Sequence, residues 1–220
     1  MVFRSEQFTP RRISTHGVER AISDYSTVED AIGYTYQEHG HTFYVLTFPT
    51  ADKTWAYDAA TQQWHERGEW HPGSGDYTAH LGRCHAANGV HLVGSRLDGT
   101  LYRQSLGETR FGAGVRRWMR RCPAMVAERN RMFFYELELA MEVGVGPTAS
   151  AAVDLRWSDD GGFTYSNSHQ ETAGPIGAYQ TRVSWNRLGS SRQRTFEFSG
   201  SDAMKTSLID AYVQVALGTS

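Results

Sequence analysis

Cysteine, lysine and long apolar runs are scarce in this sequence, and each scarcity removes a class of protein. Two cysteines, Cys84 and Cys122, cannot build a disulfide scaffold or a four-cysteine zinc site. Buried thiols in a reducing compartment are expected instead. No stretch of 18 apolar residues occurs, and no basic-then-apolar leader follows Met1. Neither a membrane span nor a secretion signal is therefore expected, and synthesis should end in the cytoplasm. Lysine is confined to Lys53 and Lys205, so twenty of the 22 basic residues are arginines. Arginine is favoured at interfaces and phosphates because its planar fork binds bidentately. The net charge of −2 gives no reason to expect general nucleic-acid binding. Also missing are a glycine-rich phosphate loop, a G-x-S-x-G elbow and an H-E-x-x-H helix. No catalytic set is proposed, and no cofactor or metal is expected.

What is present is ordinary globular stock, 40% hydrophobic and 12% aromatic, in 220 residues. That length suits one large domain or two small ones. One short helix is expected after Ser14 or Thr15, with Val18, Ala21, Ile22 and Tyr25 on its buried stripe. Ile13 and Val18 should staple its start. After Asp30 the chain reads as strands. "AIGYTYQ", "TFYVLTF", "KTWAYD" and "QWHER" are short aromatic and β-branched runs, and Asp58 and Thr61 suit the last turn between them. Four such strands in roughly 38 residues is the size of one propeller blade. A loop, "GEWHPGSGD", leads to a second unit: "HLGRCHAA", "VHLVGS" and "GTLYRQS", turning at Asn88-Gly89 and Asp98-Gly99. "KTWAYD" begins at residue 53 and "GTLYRQ" at 99, an offset of 46 that suits a blade period.

From Arg116 the texture changes. The run "RNRMFFYELELAMEVGVG" predicts a long strand with Phe133, Tyr135, Leu137, Leu139 and Met141 on one face, and Glu136, Glu138 and Glu142 mostly on the other. "VDLRWS", "TYSNS", "YQTRVSWNRLG", "TFEFS" and "LIDAYVQVAL" continue the β pattern. The fold class that follows is all-β and mainly antiparallel. Residues 1–115 hold the helix and two propeller-like blades; residues 116–220 form a β-sandwich-like or further blade region.

Three features could carry function. "LRWSDDGGFTYSN" fits the Asp-box S-x-D-x-G-x-T-aromatic through Ser158, Asp160, Gly162, Thr164 and Tyr165. A box works as a turn lock: its Asp accepts backbone N–H bonds, its Gly supplies unusual φ, and its aromatic packs beneath. Removing Asp160 should then orphan buried N–H groups. Sialidase propellers carry several boxes with an arginine cluster and a Tyr/Glu pair; here one box stands alone, so a carbohydrate-binding or sialidase-like protein is the alternative rather than the leading reading. Five histidines, His65, His71, His80, His85 and His91, surround Cys84. On one strand His80 and His85 face opposite ways, and His80 and Cys84 lie about 13 Å apart at ~3.3 Å per residue, so no zinc site is expected. The third feature is an arginine run. If extended, it places Arg116 and Arg120 with Trp118, and Arg117 and Arg121 with Met119. These residues suit an interface or a DNA channel, against the simpler role of a charged edge strand that discourages aggregation.

Several strings taken together resemble a known family. "RISTHGVERAI", "AIGYTYQEHGHTFYVLTFPTADKTWAYDAATQQWHER", "ELELAMEVGVG", "LRWSDDGGFTYSN" and "RVSWNRLGSSRQRTFEFSGSD" resemble, in the same order, the packaged-DNA stabilisation proteins of short-tailed phages, also called tail accessory factors or tail hub proteins. The similarity runs from about Arg12 to Ala216 and corresponds to the C-terminal half of longer proteins. It implies a non-enzymatic, β-rich virion tail protein with a propeller-like part. Copies would form a ring beneath the portal and its adaptor, extend the DNA channel, help retain packaged DNA, and offer docking surface to needle or tailspike proteins. Contact with DNA would be non-specific. In the box, Tyr165 stands where the family more commonly has tryptophan.

Overall fold

The computed structural model describes residues 1–6, 9–71, 73–80, 82–96, 98–145 and 151–218. Leu81, Pro72 and Gly146, which belong to sequence-predicted runs, lie outside the described residues. The chain divides into two compact units, residues 1–108 and 109–220. Both are built almost wholly from antiparallel strands.

The first unit opens with a hairpin, β1 (Phe3–Glu6) and β2 (Thr9–Arg12), that the sequence pattern did not suggest. Helix α1 (His16–Ser23) follows, with Thr15 as N-cap accepting from the Val18 N–H at 3.4 Å. Ser14, the other cap candidate, bonds instead to Val2 and to Glu19, which also holds Arg12. Of the expected stripe, Val18 is buried, while Tyr25 reaches past the helix to stack on Phe48 and accept from the Trp55 indole.

Five strands then form one antiparallel meander: β3 (Ile32–Glu38), β4 (His41–Phe48), β5 (Lys53–Asp58), β6 (Gln63–His71) and β7 (Asp76–Ala79). The last hairpin corrects the loop expected at "GEWHPGSGD". Gly68, Glu69, Trp70 and His71 pair with Ala79, Thr78, Tyr77 and Asp76, and Trp70 packs on Tyr77. Gly73 and Gly75 in that string lie in the turn inside a hairpin, not at a break between elements. A second, three-stranded sheet comprises β8 (Cys84–Ala87), β9 (Val90–Gly94) and β10 (Leu101–Gln104). Asn88 and Gly89 both take positive φ at its first turn, as a tight hairpin requires. The strings matched across 46 residues of sequence, β5 and β10, are each the third strand of their sheet. A small core of Tyr36, Phe43, Val45 and Ala56 sits beneath, with Cys84 of the second sheet packed against it.

In the second unit, β11 (Trp118–Arg121), β12 (Met125–Val126), β13 (Met132–Met141), β14 (Ala152–Ser158), β15 (His169–Thr172), β16 (Val183–Asn186), β17 (Ser190–Ser191), β18 (Gln193–Gly200) and β19 (Leu208–Leu217) make two sheets. In one, β18 lies between β14 and the pair β11 and β12, with β15 outside β14. In the other, β13 is flanked by β19 on one edge and by β16 and β17 on the other. Phe134 meets Phe196 and Trp185 meets Phe198 across the space between them, at 5.6 and 5.8 Å between ring centroids. This is a β-sandwich, the first of the two architectures expected for the region. "TYSNS" is not a strand; it belongs to the turn after β14.

Strand β13 corrects the alternation expected for it. Leu137, Leu139 and Met141 point inward as predicted, but so do Met132 and Phe134, leaving Phe133 and Tyr135 exposed. The register against β19 slips between Phe134 and Glu136, so Tyr135 is the extra residue of a β-bulge. A bulge inserts one residue on one strand and reverses the parity of everything before it.

Turn chemistry in the first unit carries measurable stability. Asp58, 6% exposed, accepts from the Ala60 N–H and the Thr61 hydroxyl, both at 2.9 Å, and lies 2.7 Å from His41 Nδ1. Burial by itself raises its pKa, but these three hydrogen bonds outweigh it and hold the carboxyl below its ordinary value. Asp58→Ala should cost about 1–3 kcal/mol, because a partly enclosed turn loses its acceptor. Chemical denaturation followed by tryptophan fluorescence measures this.

Candidate functional site

At Ser158 the chain leaves β14 and must return as β15 at His169. The Asp-box makes that turn. Ser158, 1% exposed, donates to Asp160 Oδ1 at 2.7 Å and accepts from the Gly162 N–H at 2.8 Å. Asp160 accepts from the Phe163 N–H (3.0 Å), the Thr164 N–H (2.9 and 3.0 Å) and the Thr164 hydroxyl (2.6 Å). Gly161 and Gly162 sit at φ +81° and +99°, where a side chain is disfavoured. All five box residues therefore meet in one loop. The Thr164 and Ser158 bonds hold the Asp160 carboxyl well below the usual carboxylate range. One expectation is corrected: the Phe163 and Thr164 N–H groups lie on the exposed side of the loop, so water can take over when Asp160 is removed.

The loop is tied down from both faces of its sheet by residues that the motif does not include. On the inner face, Asp159 receives a two-pronged contact from Arg194, with Nε and Nη2 each 2.7 Å from a carboxylate oxygen. Arg194 is 2% exposed, donates to the Leu188 carbonyl, and lies over the rings of Phe134, Trp157 and Phe196. On the outer face, Tyr165 folds back so that the Arg156 guanidinium lies 4.5 Å and the Arg121 guanidinium 5.3 Å from its ring centre. Both arginines bind Glu197, which is wholly buried beneath them. The Tyr165 hydroxyl is enclosed without a hydrogen-bond partner among the described residues, so the ring carries the contact.

The arginine run thus divides by partner. Arg121 joins the Asp-box through Tyr165 and Glu197, uniting two features that the sequence presents separately. Arg116 donates to the Met204 carbonyl at 2.8 Å and to Thr206, and Trp118 packs on the core. Arg117 is half-buried, while Met119 and Arg120 face solvent. Asp159, Arg156, Arg194 and Glu197 were missed from sequence. The signal for them was faint: Arg156 sits in "DLRWS", Asp159 directly follows that string, and Arg194 and Glu197 sit in "RTFEFS".

This arrangement locks geometry rather than performing chemistry. Both oxygens of Asp160 are engaged inside its own loop, and Asp159 is clamped by Arg194. Most glycosidases need a free carboxyl pair flanking the substrate, and neither carboxylate of this loop is free. The histidines serve strand contacts: His65 accepts from Arg67, His71 bonds Thr78 at 2.9 Å, and His91 bonds the Gln37 carbonyl at 2.8 Å. Among the described residues no three His, Cys, Asp or Glu side chains converge to hold an ion.

A two-part, almost wholly antiparallel β protein is the class that this fold defines. Two family models match it, described as the β-propeller of bacteriophage P22 Gp10 over residues 2–105 and the β-sandwich of bacteriophage P22 Gp10 over residues 117–216. The chain belongs to this family of phage tail stabilisation proteins, whose role is structural. A comparison with curated proteins finds no match.

Two outcomes test the site. Arg194→Ala should cost about 2–4 kcal/mol, since it opens space among three rings and removes the donor to the Leu188 carbonyl while leaving Asp159 to water, whereas Arg120→Ala should stay within about 0.5 kcal/mol. Tyr165→Phe should be neutral or mildly stabilising, because it deletes an unsatisfied hydroxyl. Urea melts of the purified variants separate these cases. The second outcome concerns acid. Because the folded Asp160 carboxyl sits below its unfolded value of about 3.9, the box stabilises the fold above that pH and loses its contribution as pH falls through the folded value. Melting temperature against pH should therefore fall below about pH 4, and Asp160→Asn should flatten that fall while lowering the plateau.

Proposed function

We propose that this chain is a non-enzymatic component of a short-tailed phage tail, made in the host cytoplasm and incorporated in the virion. Several copies form a ring below the portal and its adaptor, extend the DNA channel and help retain packaged DNA, with needle or tailspike proteins docking on them. The observation that carries the reading is the paired family match, propeller then sandwich, across nearly the whole chain. Among the described residues no helix is long and apolar enough to cross a membrane. The box gives the carbohydrate alternative no support, since its carboxylates are consumed within the fold.

In the arginine run, Arg120 and Met119 are the open positions for a partner or for DNA backbone. Arg116 and Trp118 pack into the sandwich, and Arg121, itself exposed, is held by Glu197. Particles assembled without the chain should package DNA and then lose it, and supplying the chain in trans should restore retention. A nuclease-protection assay on purified particles reads this directly. Full retention without the chain, or its absence from purified tails, would overturn the proposal.

A further inference from the structure

One end of the sandwich carries a surface that neither the Asp-box lock nor the tail reading uses. A cleft of about 450 Å³ lies between the turn after β12 and the start of β18, lined by Val126, Glu128, Arg129, Arg192 and Gln193. Val126, 66% exposed, offers it an apolar wall. Arg129 and Arg192 are exposed and, unlike Arg121, Arg156 and Arg194, have no carboxylate or hydrogen-bond partner among the described residues. Glu128 and Arg129 both take positive φ, +45° and +70°, and are the one adjacent pair of non-glycine residues to do so among those described. Such backbone is uphill for side-chain-bearing residues and tends to be kept where a site needs it.

The Asp-box loop borders this cleft, for a Cβ on Gly161 would stand 3.6 Å from the Gln193 amide. The residue that the box holds outermost is Phe163, 90% exposed, its N–H fixed on Asp160. A large apolar ring pinned in water on a rigid turn is arranged as an anchor, and arginine with an aromatic is the usual make-up of a binding hot spot.

We propose that this end of the sandwich docks an acidic peptide segment of a partner protein. Its carboxylates pair with Arg129 and Arg192, an apolar side chain lies on Val126, and Phe163 anchors the adjoining surface. Two observations favour peptide over nucleic acid. Glu128 stands inside the cleft, where a continuous phosphate chain would meet it, whereas a peptide can set an uncharged residue there. Gln193 offers both a donor and an acceptor, as a peptide backbone requires. The proposal rests on the geometry of this unit alone and not on the tail reading.

The test uses the full chain and a short fluorescein-labelled peptide of alternating glutamate and leucine, followed by anisotropy at near-physiological salt. A lysine–leucine peptide and a duplex oligonucleotide serve as competing probes. Saturable binding of the glutamate peptide is expected, weakened about tenfold or more by Arg129→Ala with Arg192→Ala, and similarly by Phe163→Ala. Arg20→Ala with Arg83→Ala, the same loss of charge elsewhere, should leave it unchanged. The reversal Arg129→Glu with Arg192→Glu should switch preference to the lysine peptide; all these side chains are exposed, so melting curves should not move. No binding, equal binding of the lysine peptide, duplex binding as tight with the same arginine dependence, or an oligomer of the chain dissolved by Phe163→Ala would each overturn the proposal.

Discussion

An arginine leaves water readily only when its charge is paired and each of its three nitrogens finds an acceptor, and the sandwich is organised around one that meets both conditions. Arg194 sits among Phe134, Trp157 and Phe196, gives two hydrogen bonds to Asp159 and one to the Leu188 carbonyl. Three residues further along β18, on the opposite face, Glu197 is buried beneath Arg156 and Arg121. One strand therefore carries a cation inward and an anion outward, and the segment around the Asp-box supplies the counter-charge to each. Slipping β14 by one residue against β18 would turn Arg156 inward and Trp157 outward, and would carry Asp159 away from Arg194. Both buried charges would lose partners, which costs far more than surface pairing returns. The ion pairs act as register pins as much as adhesive.

Local chemistry was legible in the sequence. The Asp58 turn, the Asn88-Gly89 hairpin, the limits of β5 and β19 and the internal bonds of the Asp-box all depend on residues within a few positions of one another. What was not legible depends on pairing between distant segments. Arg194 and Asp159 are 35 residues apart, and Arg156 and Glu197 are 41. No spacing rule links such positions until the register of β14 on β18 is known. Tyr135 fails for a related reason: apolar alternation is readable, but a bulge is set by the partner strand, and the pattern "MFFYELEL" offers aromatics to both faces. In "GEWHPGSGD" the turn signals are real but belong to a hairpin, with Trp70 and Tyr77 pairing on either side of its turn.

The same distinction explains what became of the Asp-box. As a motif it suggests carbohydrate chemistry, but its physics is that of a loop that consumes its own polar groups. Ser158 and Asp160 answer the N–H groups of residues 162 to 164, and what remains pointing outward is the Phe163 ring, a side chain with no hydrogen-bonding group. The carboxylates of this loop are engaged in hydrogen bonds with the fold itself, and its outermost side chain is a phenyl ring rather than a free acid.

The scarcity of lysine then acquires a structural sense. At Arg67, Arg156 and Arg194 the guanidinium plane lies against aromatic rings, and at Arg156 and Arg194 it is also bound to a carboxylate. An ammonium group would be hydrated more strongly, could not stack, and could not offer two parallel donors to Asp159. At Arg194 lysine would trade a satisfied buried cation for an unsatisfied one. The sandwich can bury charge against its aromatics because that charge is flat and fork-shaped, and this is the property that lets one short loop be clamped from both faces of a sheet.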